Sequence, residues 1–79
     1  MVRITMYYFG LIAEKAGVAT EQLELLQGAD VESVHQALQE RYPSLQSDSY
    51  QVSVNRKICT NGPVSEGDEV AILPPFAGG

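Results

Sequence analysis

The sequence predicts a small α+β domain in which one long helix packs on a mixed β-sheet. The chain has 79 residues, which is the size of one domain. Short stretches in which apolar and polar residues alternate, a pattern typical of β-strands, occur near both ends. Between them lies one long stretch with the helical period of apolar residues. Strands that bracket a single amphipathic helix favour a two-layer domain with one shared core.

The first predicted elements are a strand over residues 2–9 and a short helix with the sequence GLIAEKA. Apolar side chains at the even positions of the strand share one face, and aromatic side chains near its end indicate a central strand. In the helix, Leu11, Ile12 and Ala16 are expected on one face. Gly17 stands where the left-handed residue that follows a helix belongs.

A second strand is predicted over residues 20–26, with Leu23 and Leu25 facing inward. The long helix follows, and Asp30 is a good N-cap for it. Pro43 ends this helix, because the residue before a proline is pushed out of the α region. The residues expected on the core face of the helix are Val31, Val34, Ala37, Leu38 and Tyr42.

Short strands are predicted in the last part of the chain, over residues 50–54, 57–59 and 69–73. Asn55 and Arg56 form a tight turn between the first two of these strands. Leu45 is expected to fold back onto the core, and residues 46–49 are expected to be a polar loop.

The first and last strands are both apolar, and we expect them to be neighbours at the centre of the sheet. A parallel pair needs a long crossover connection, and the segment between these two strands supplies one. This arrangement is the ubiquitin-like β-grasp.

Composition limits the classes of partner. A net charge of −5 without a cluster of lysine or arginine makes nucleic acid an unfavourable partner. The acidic charge fits plain solubility or a partner with a basic face. Apolar runs are too short for a membrane span. The single Cys59 and the lack of a basic-then-apolar leader lead us to expect a cytoplasmic protein, where thiols stay reduced.

Common catalytic patterns are not evident in the sequence. It has no glycine-rich phosphate loop, no paired metal-ligand spacing and no Ser/His/Asp arrangement. His35 is expected to be a solvated or half-covered helix residue rather than a general base. Cys59 is expected to be buried or on an edge strand rather than a nucleophile, because nothing evident lowers its pKa. We therefore predict no metal site.

The last six residues, 74–79, are the candidate functional segment. Two terminal glycines contribute nothing to a core, because glycine loses the most backbone entropy on ordering. Pro74 and Pro75 lack N–H groups, so the last strand must stop there. A stiff exit with a side-chain-free end suits insertion into a narrow channel, and the carboxylate of Gly79 would be the reacting group. The alternative is an inert tail.

The residues from Gly67 to Gly79, with the sequence GDEVAILPPFAGG, resemble the end of the MoaD/ThiS family of sulfur carriers. The segments YFGLIAEKAG near the start and ERYPSL after the helix, with Val54 and Asn55, also fit that family. The resemblance covers essentially the whole chain. Its Pro-Pro element favours the molybdopterin branch over the thiamine branch.

The resemblance implies a chemistry and a set of partners. An adenylyltransferase similar to ubiquitin-activating enzymes would use ATP to adenylate Gly79, and a sulfur donor protein would convert the adenylate to a thiocarboxylate. The sulfur would pass to a pterin precursor on the large subunit of molybdopterin synthase, within a heterotetramer. No cofactor would be bound by this chain, which would not be catalytic alone. The inserted segment would comprise Pro74, Pro75, Phe76, Ala77 and Gly78.

The resemblance also makes Phe9, Leu73 and Phe76 candidates for contact with the large subunit and the activating enzyme. Apolar residues beside the tail would anchor it to a partner. For Phe9 and Leu73 the alternative is a place in the core.

Two other functions stay open on the sequence. A ubiquitin-like modifier would also begin with an adenylated Gly79, which would then be joined to lysine. A sulfur carrier of the thiamine pathway would have a similar fold and a similar end, and the fold alone does not separate these roles.

Overall fold

Alternating apolar residues near both ends of the chain form one mixed β-sheet, and the amphipathic segment between them forms the helix that covers it. This arrangement comes from a computed structural model, which describes residues 1–47 and 50–74. The strands are β1 (Val2–Tyr8), β2 (Thr20–Leu25), β3 (Gln51–Val54), β4 (Lys57–Ile58) and β5 (Glu69–Leu73). The helices are α1 (Gly10–Ala16) and α2 (Val31–Arg41), followed by a 3-10 turn (Pro43–Ser47).

The five strands lie in the order β2-β1-β5-β3-β4. β1 and β5 are parallel neighbours, with Tyr8 opposite Ile72, and β5 also pairs antiparallel with β3. The prediction that the first and last strands meet at the centre of the sheet is thus confirmed, and the fold is a ubiquitin-like β-grasp.

The core lies between α2 and one face of the sheet. Even-numbered residues of β1 face this core, because side chains alternate along a strand. Leu45 folds back onto the core as predicted and is 1% exposed. Leu11 departs from the prediction: it lies on the outer side of α1 and is exposed. The buried core residues of β1, β5 and α2 are Val2, Ile4, Met6, Tyr8, Val70, Ile72, Val31, Val34 and Leu38.

Reciprocal hydrogen bonds fix the start of α2. The Asp30 carboxylate accepts from the backbone N–H of Ser33 at 2.9 Å, and the Ser33 hydroxyl oxygen accepts from the backbone N–H of Asp30 at 3.2 Å. This capping box satisfies a donor at the end of the helix and confirms the predicted N-cap. The helix ends at Arg41, before Pro43, as predicted. The chain then forms a 3-10 turn over Pro43–Ser47, whereas the sequence predicted a loop from residue 46.

The predicted turn between β3 and β4 is confirmed. Asn55 and Arg56 have φ angles of 51° and 73°, the left-handed region that a two-residue hairpin turn of type I′ requires at both positions. The return strand ends at Ile58, one residue earlier than predicted. Within the described residues, neither helix is long and apolar enough to cross a membrane.

Candidate functional site

The central strand β5 delivers the chain to the candidate functional segment. β5 is hydrogen-bonded to a strand on each side and ends at Leu73, and the half-buried Pro74 follows it. Of the residues predicted for insertion, Pro74 is described. Pro75, Phe76, Ala77, Gly78 and the reacting Gly79 lie outside the described residues, so their predicted roles stay predictions.

Two of the three predicted partner-contact residues lie next to this exit. Phe9 is 47% exposed, so it is not part of the core. Leu73 is half-buried at the end of β5. Both residues come directly after the last pair of the parallel ladder between β1 and β5, Tyr8 opposite Ile72. The structure therefore places them at the same end of that ladder, while their contact with a partner is still a prediction. Phe76 lies outside the described residues.

The sheet face opposite α2 carries a shallow cavity of about 290 Å³. Its lining comprises Tyr7, Phe9, Ser53, Arg56, Glu69 and Ala71. Arg56 reaches this face from the β3–β4 turn, and Ser53 is buried at 5% exposure. The lining runs from Arg56 in the β3–β4 turn to Phe9, which directly follows β1. The sequence did not indicate that Ser53 would be buried, because alternation along β3 places it on the face without a helix.

A cluster of polar side chains holds β1, β2 and α2 together on the helix side of the sheet. The Tyr42 hydroxyl donates to Oε2 of Glu21 at 2.6 Å, and the hydroxyl of the buried Tyr8 donates to the same oxygen at 2.5 Å. Arg41 donates to Oε1 of Glu21 through Nη2 at 3.0 Å and through Nε at 3.2 Å. The rings of Tyr8 and Tyr42 also meet edge to face, with centroids 5.9 Å apart. We call these four residues the Glu21 cluster.

The charge of Glu21 is stabilised by its neighbours. Burial raises the pKa of Glu21, but hydrogen bonds from the two tyrosines and from Arg41 outweigh burial, so the pKa lies below its usual range. Burial and the hydrogen bond to Glu21 raise the pKa of Tyr8. A carboxylate held in this way is a poor proton acceptor, so the Glu21 cluster is suited to stability rather than to acid–base catalysis.

Sequence reasoning missed this cluster, although one signal was present. Glu21 shares the face of β2 that carries Leu23 and Leu25, which is the face directed at the core. A glutamate on the inward face of a strand requires a buried partner.

His35 and Cys59, which the sequence singled out, both lie in partly buried positions. His35 is half-buried, and its ring stacks on Tyr50 with Nδ1 at 2.9 Å from the Tyr50 hydroxyl. This agrees with the prediction of a half-covered helix histidine. Cys59 is a half-buried free thiol that packs against the core. Across residues 1–47 and 50–74, no group of three or more His, Cys, Asp or Glu side chains is placed to hold a metal ion.

The mixed sheet with β1 and β5 parallel at its centre, covered by α2, defines a ubiquitin-like β-grasp domain. The profile of the ThiS family matches residues 6–79. The molybdopterin synthase sulfur carrier subunit of Mycobacterium tuberculosis strain H37Rv is 35% identical over 83 aligned positions, which cover both chains completely. The chain therefore belongs to the ThiS family.

Solved structures show the same fold. A Pyrococcus furiosus protein assigned as subunit 1 of a molybdopterin converting factor has a TM-score of 0.91 at 23% identity, with 96% of this chain and 100% of that chain covered. The small archaeal modifier protein 1 of Haloferax volcanii has a TM-score of 0.85 at 26% identity, again over 96% of this chain and 100% of that chain. A Helicobacter pylori complex of subunits 1 and 2 of the molybdopterin-converting factor includes a similar chain, with a TM-score of 0.69 at 20% identity over 99% and 100% of the two chains.

Proposed function

We propose that this protein is the sulfur carrier subunit of a molybdopterin synthase. The observation that carries the proposal is the 35% identity with the Mycobacterium tuberculosis carrier subunit over the full length of both chains. The Gly78-Gly79 end of the sequence supports it. In this function Gly79 is a reactant that is consumed and regenerated, while the large subunit supplies the acid, the base and the pterin site.

The proposed chemistry begins with activation, because a carboxylate is a poor electrophile. The Gly79 carboxylate attacks the α-phosphate of ATP on an adenylyltransferase and releases pyrophosphate. The resulting mixed anhydride has AMP as a good leaving group. Sulfide delivered by a donor protein attacks the acyl carbon, and the acyl–oxygen bond to AMP breaks. The product, a thiocarboxylate, is a better nucleophile than the carboxylate and forms a bond from its sulfur to the pterin precursor. Water then cleaves the acyl–sulfur bond and regenerates the Gly79 carboxylate. We place these reactions in the cytoplasm, with ATP used by the adenylyltransferase.

The large subunit is the proposed main partner. The relative from Mycobacterium tuberculosis is named as a subunit, and the Helicobacter pylori structure is a complex of two subunits. We propose that the face with Phe9 and Arg56 contacts the large subunit and that Leu73 and Phe76 anchor the tail beside it. The assembly would be a heterotetramer of two carriers and two large subunits.

The contact predicted for Phe9 is testable by substitution. Phe9→Ala should weaken binding of the purified large subunit by about tenfold or more, because buried aromatic anchors dominate interfaces. The melting temperature should change little, since Phe9 is already 47% exposed. Leu26→Ala is the control, because Leu26 is 76% exposed and directly follows the edge strand β2. Equal affinities of the two variants, measured by titration calorimetry, would remove Phe9 from the interface.

The decisive experiment is a mass spectrum of the C-terminal peptide of the protein isolated from its native cells. A sulfur atom in place of one oxygen at Gly79 is the expected result. The modification must be localised, because oxidation of Met1, Met6 or Cys59 gives nearly the same mass change. If Gly79 is unmodified, and stays so after incubation with ATP, an activating enzyme and a sulfur source, the carrier function is excluded.

A second candidate function is a protein modifier, favoured by the similarity to the archaeal modifier protein of Haloferax volcanii. It predicts that Gly79 occurs in isopeptide linkage to lysine side chains in cell extracts. The thiamine pathway is the near alternative within the carrier class. Complementation of a strain deficient in molybdoenzymes, compared with complementation of a thiamine auxotroph, separates the two pathways.

A further inference from the structure

The strand β2 forms one edge of the sheet, and part of its backbone faces away from β1. It is the first strand in the order β2-β1-β5-β3-β4, so among the described residues no strand covers its other side. The Tyr8 N–H donates to the Ala19 carbonyl at 2.8 Å, and these two residues continue the antiparallel register of β1 with β2. Bonded and non-bonded pairs alternate along such a ladder, so Thr20, Gln22 and Glu24 direct their N–H and C=O groups outward.

This edge has few of the features that usually protect an edge strand, which are short length, lysine, proline or a bulge. At the other edge of the sheet, β4 spans only Lys57–Ile58 and includes a lysine. In contrast, β2 spans Thr20–Leu25 without lysine or proline, and its register with β1 is unbroken. Its outward N–H and C=O groups can therefore pair with another extended chain.

A groove runs between the edge of β2 and the side of α2. Two cavities of about 440 and 490 Å³ meet there and share Glu24, Ala37 and Glu40 in their lining. Leu25 lines the first and Leu23 the second, and these side chains are 8% and 7% exposed. Ala37 and Glu40 share a face of the helix because they are three positions apart, and the small Ala37 leaves space beside the strand. The groove therefore has apolar side chains along it and an acidic residue on each side.

The charges at this groove favour a basic partner. Glu40 is exposed and has no ion pair among the described residues. Arg41 also lines the groove, but its guanidinium donates to Glu21. Glu24 pairs with Arg3, and both side chains are exposed to solvent, which weakens the pair. A second copy of this chain, itself with a net charge of −5, would bring the same acidic side chains together.

We propose that the groove beside β2 binds an extended, basic segment of another protein, which adds to the sheet as a further strand. The outward backbone groups of β2 hold the segment by hydrogen bonds. Apolar side chains at alternate positions of the segment cover Leu23 and Leu25, and its lysine or arginine side chains meet Glu24 and Glu40. The groove shares no lining residue with the cavity on the face proposed for the large subunit. This binding is also independent of the reaction proposed at Gly79.

The probe for this site is a short synthetic peptide that alternates valine and lysine, titrated against the full-length protein by fluorescence anisotropy. Two derivatives carry N-methyl groups, one on every valine nitrogen and the other on every lysine nitrogen. Because successive N–H groups of a strand point to opposite sides, each derivative loses the donors of one edge. Strand addition uses one edge, so one derivative should bind about tenfold more weakly than the other. Equal affinities of the two derivatives, or an unmodified peptide that does not bind, would overturn the proposal.

Two charge reversals on α2 test the acidic side of the groove. Glu40→Lys should weaken binding of the unmodified peptide about tenfold at low ionic strength, because attraction becomes repulsion. Glu32→Lys is the matched control: it changes the net charge equally, but Glu32 is in the first turn of α2 and does not line the groove. It should change the affinity little. Equal losses would show general attraction to an acidic protein and would refute the assigned groove.

A proline at the edge of β2 tests strand addition from the side of the protein. Gln22→Pro removes an outward N–H and leaves the ladder with β1 intact, since proline is accepted at sheet edges. It should abolish peptide binding; if this variant fails to fold, the two N-methylated peptides still decide. Sedimentation equilibrium tests the other occupant. A dimer of the wild type that Gln22→Pro abolishes would assign the groove to a second copy and overturn the proposal.

Discussion

At the scale of single residues, Glu21 links β2 to β1 and to the end of α2, which no sequence pattern had indicated. It is on the edge strand β2, and it accepts hydrogen bonds from Tyr8 on β1 and from Tyr42 and Arg41 at the end of α2. Its side chain is 14% exposed, so these hydrogen bonds are largely sheltered from water. Hydrogen bonds to a charged acceptor contribute more than neutral ones, which makes Glu21 a strong candidate for stabilising the fold.

We predict that Glu21→Gln lowers the free energy of unfolding by about 1.5–3 kcal/mol, because it removes the charge that pairs with Arg41 and with two hydroxyl groups. Urea denaturation at neutral pH measures the change. Glu24→Gln is the matched control on the same strand, since Glu24 pairs with Arg3 at 3.3 Å but both side chains are 56% exposed. It should cost less than about 1 kcal/mol. Equal costs would show that the Glu21 cluster behaves as an ordinary surface ion pair.

The Glu21 cluster also predicts how stability depends on acid. The folded pKa of Glu21 lies below its unfolded value, which is about 4.3 for glutamate, so the unfolded state binds the proton first. Stability from Glu21 is therefore present above the unfolded pKa and is lost as the pH falls through the folded pKa. Asp30 acts in the same direction, since its hydrogen bonds with Ser33 lower its pKa.

The contribution of Glu21 can be isolated by comparing melting temperatures between pH 7 and pH 3 for the wild type and Glu21→Gln. The wild type should lose stability more steeply below about pH 4.3, and the two curves should converge in acid. Parallel curves would mean that Glu21 has the same pKa in the folded and unfolded states.

Sequence reasoning recognised the inward face of β2 but not the partners of Glu21. Tyr8 and Tyr42 are separated from Glu21 by 13 and 21 positions, and only the packing of three elements brings them together. The spacing of apolar residues indicates which face of one helix or strand is buried. Hydrogen bonds between two elements depend on how those elements are oriented when they pack, and the spacing does not show this. For the same reason the burial of Ser53 was not predicted.

At the scale of elements, the 3-10 turn after α2 closes one end of the core. Pro43 stops the helix and the turn carries Leu45 back under it, where the side chain is 1% exposed. The sequence predicted both the stop and the return of Leu45. It did not predict the 3-10 geometry, because that depends on local hydrogen bonds such as the one from the Leu45 N–H to the Tyr42 carbonyl at 2.9 Å.

We predict that Leu45→Ala lowers the free energy of unfolding by about 2–5 kcal/mol, since it leaves a cavity where the turn meets the core. The matched control is Leu26→Ala, the same substitution at a side chain that is 76% exposed. Its effect should lie within about 0.5 kcal/mol of the wild type. Urea midpoints of the two variants measure the difference, and similar midpoints would contradict the role of Leu45 in the core.

At the scale of the whole molecule, the fold and the proposed reaction use separate parts of the chain. The core residues lie between Val2 and Ile72, whereas the proposed reacting group is on Gly79. The candidate reacting segment was predicted from the chemistry of its residues, and most of it lies outside the described residues.

We predict that removal of Gly78 and Gly79 leaves the melting temperature within about 1–2 °C of the wild type, because glycine has no side chain to add to a core. The same truncation should abolish complementation of the molybdoenzyme-deficient strain. Calorimetry and growth assays on one variant test both statements. A truncated protein that still complements would leave the Gly79 chemistry without support.

The central place of β5 also has a consequence for synthesis of the chain. β1 pairs with a strand more than 60 positions later, from Thr5 with Glu69 to Tyr8 with Ile72. Until the ribosome has made β5 and released it from the exit tunnel, both β1 and β3 have an open edge, and the sheet is split into two halves. Closing such a long loop is entropically costly and slows folding. Exposed edges favour association with other chains, so newly made protein has its greatest need of a chaperone in the interval before β5 has emerged.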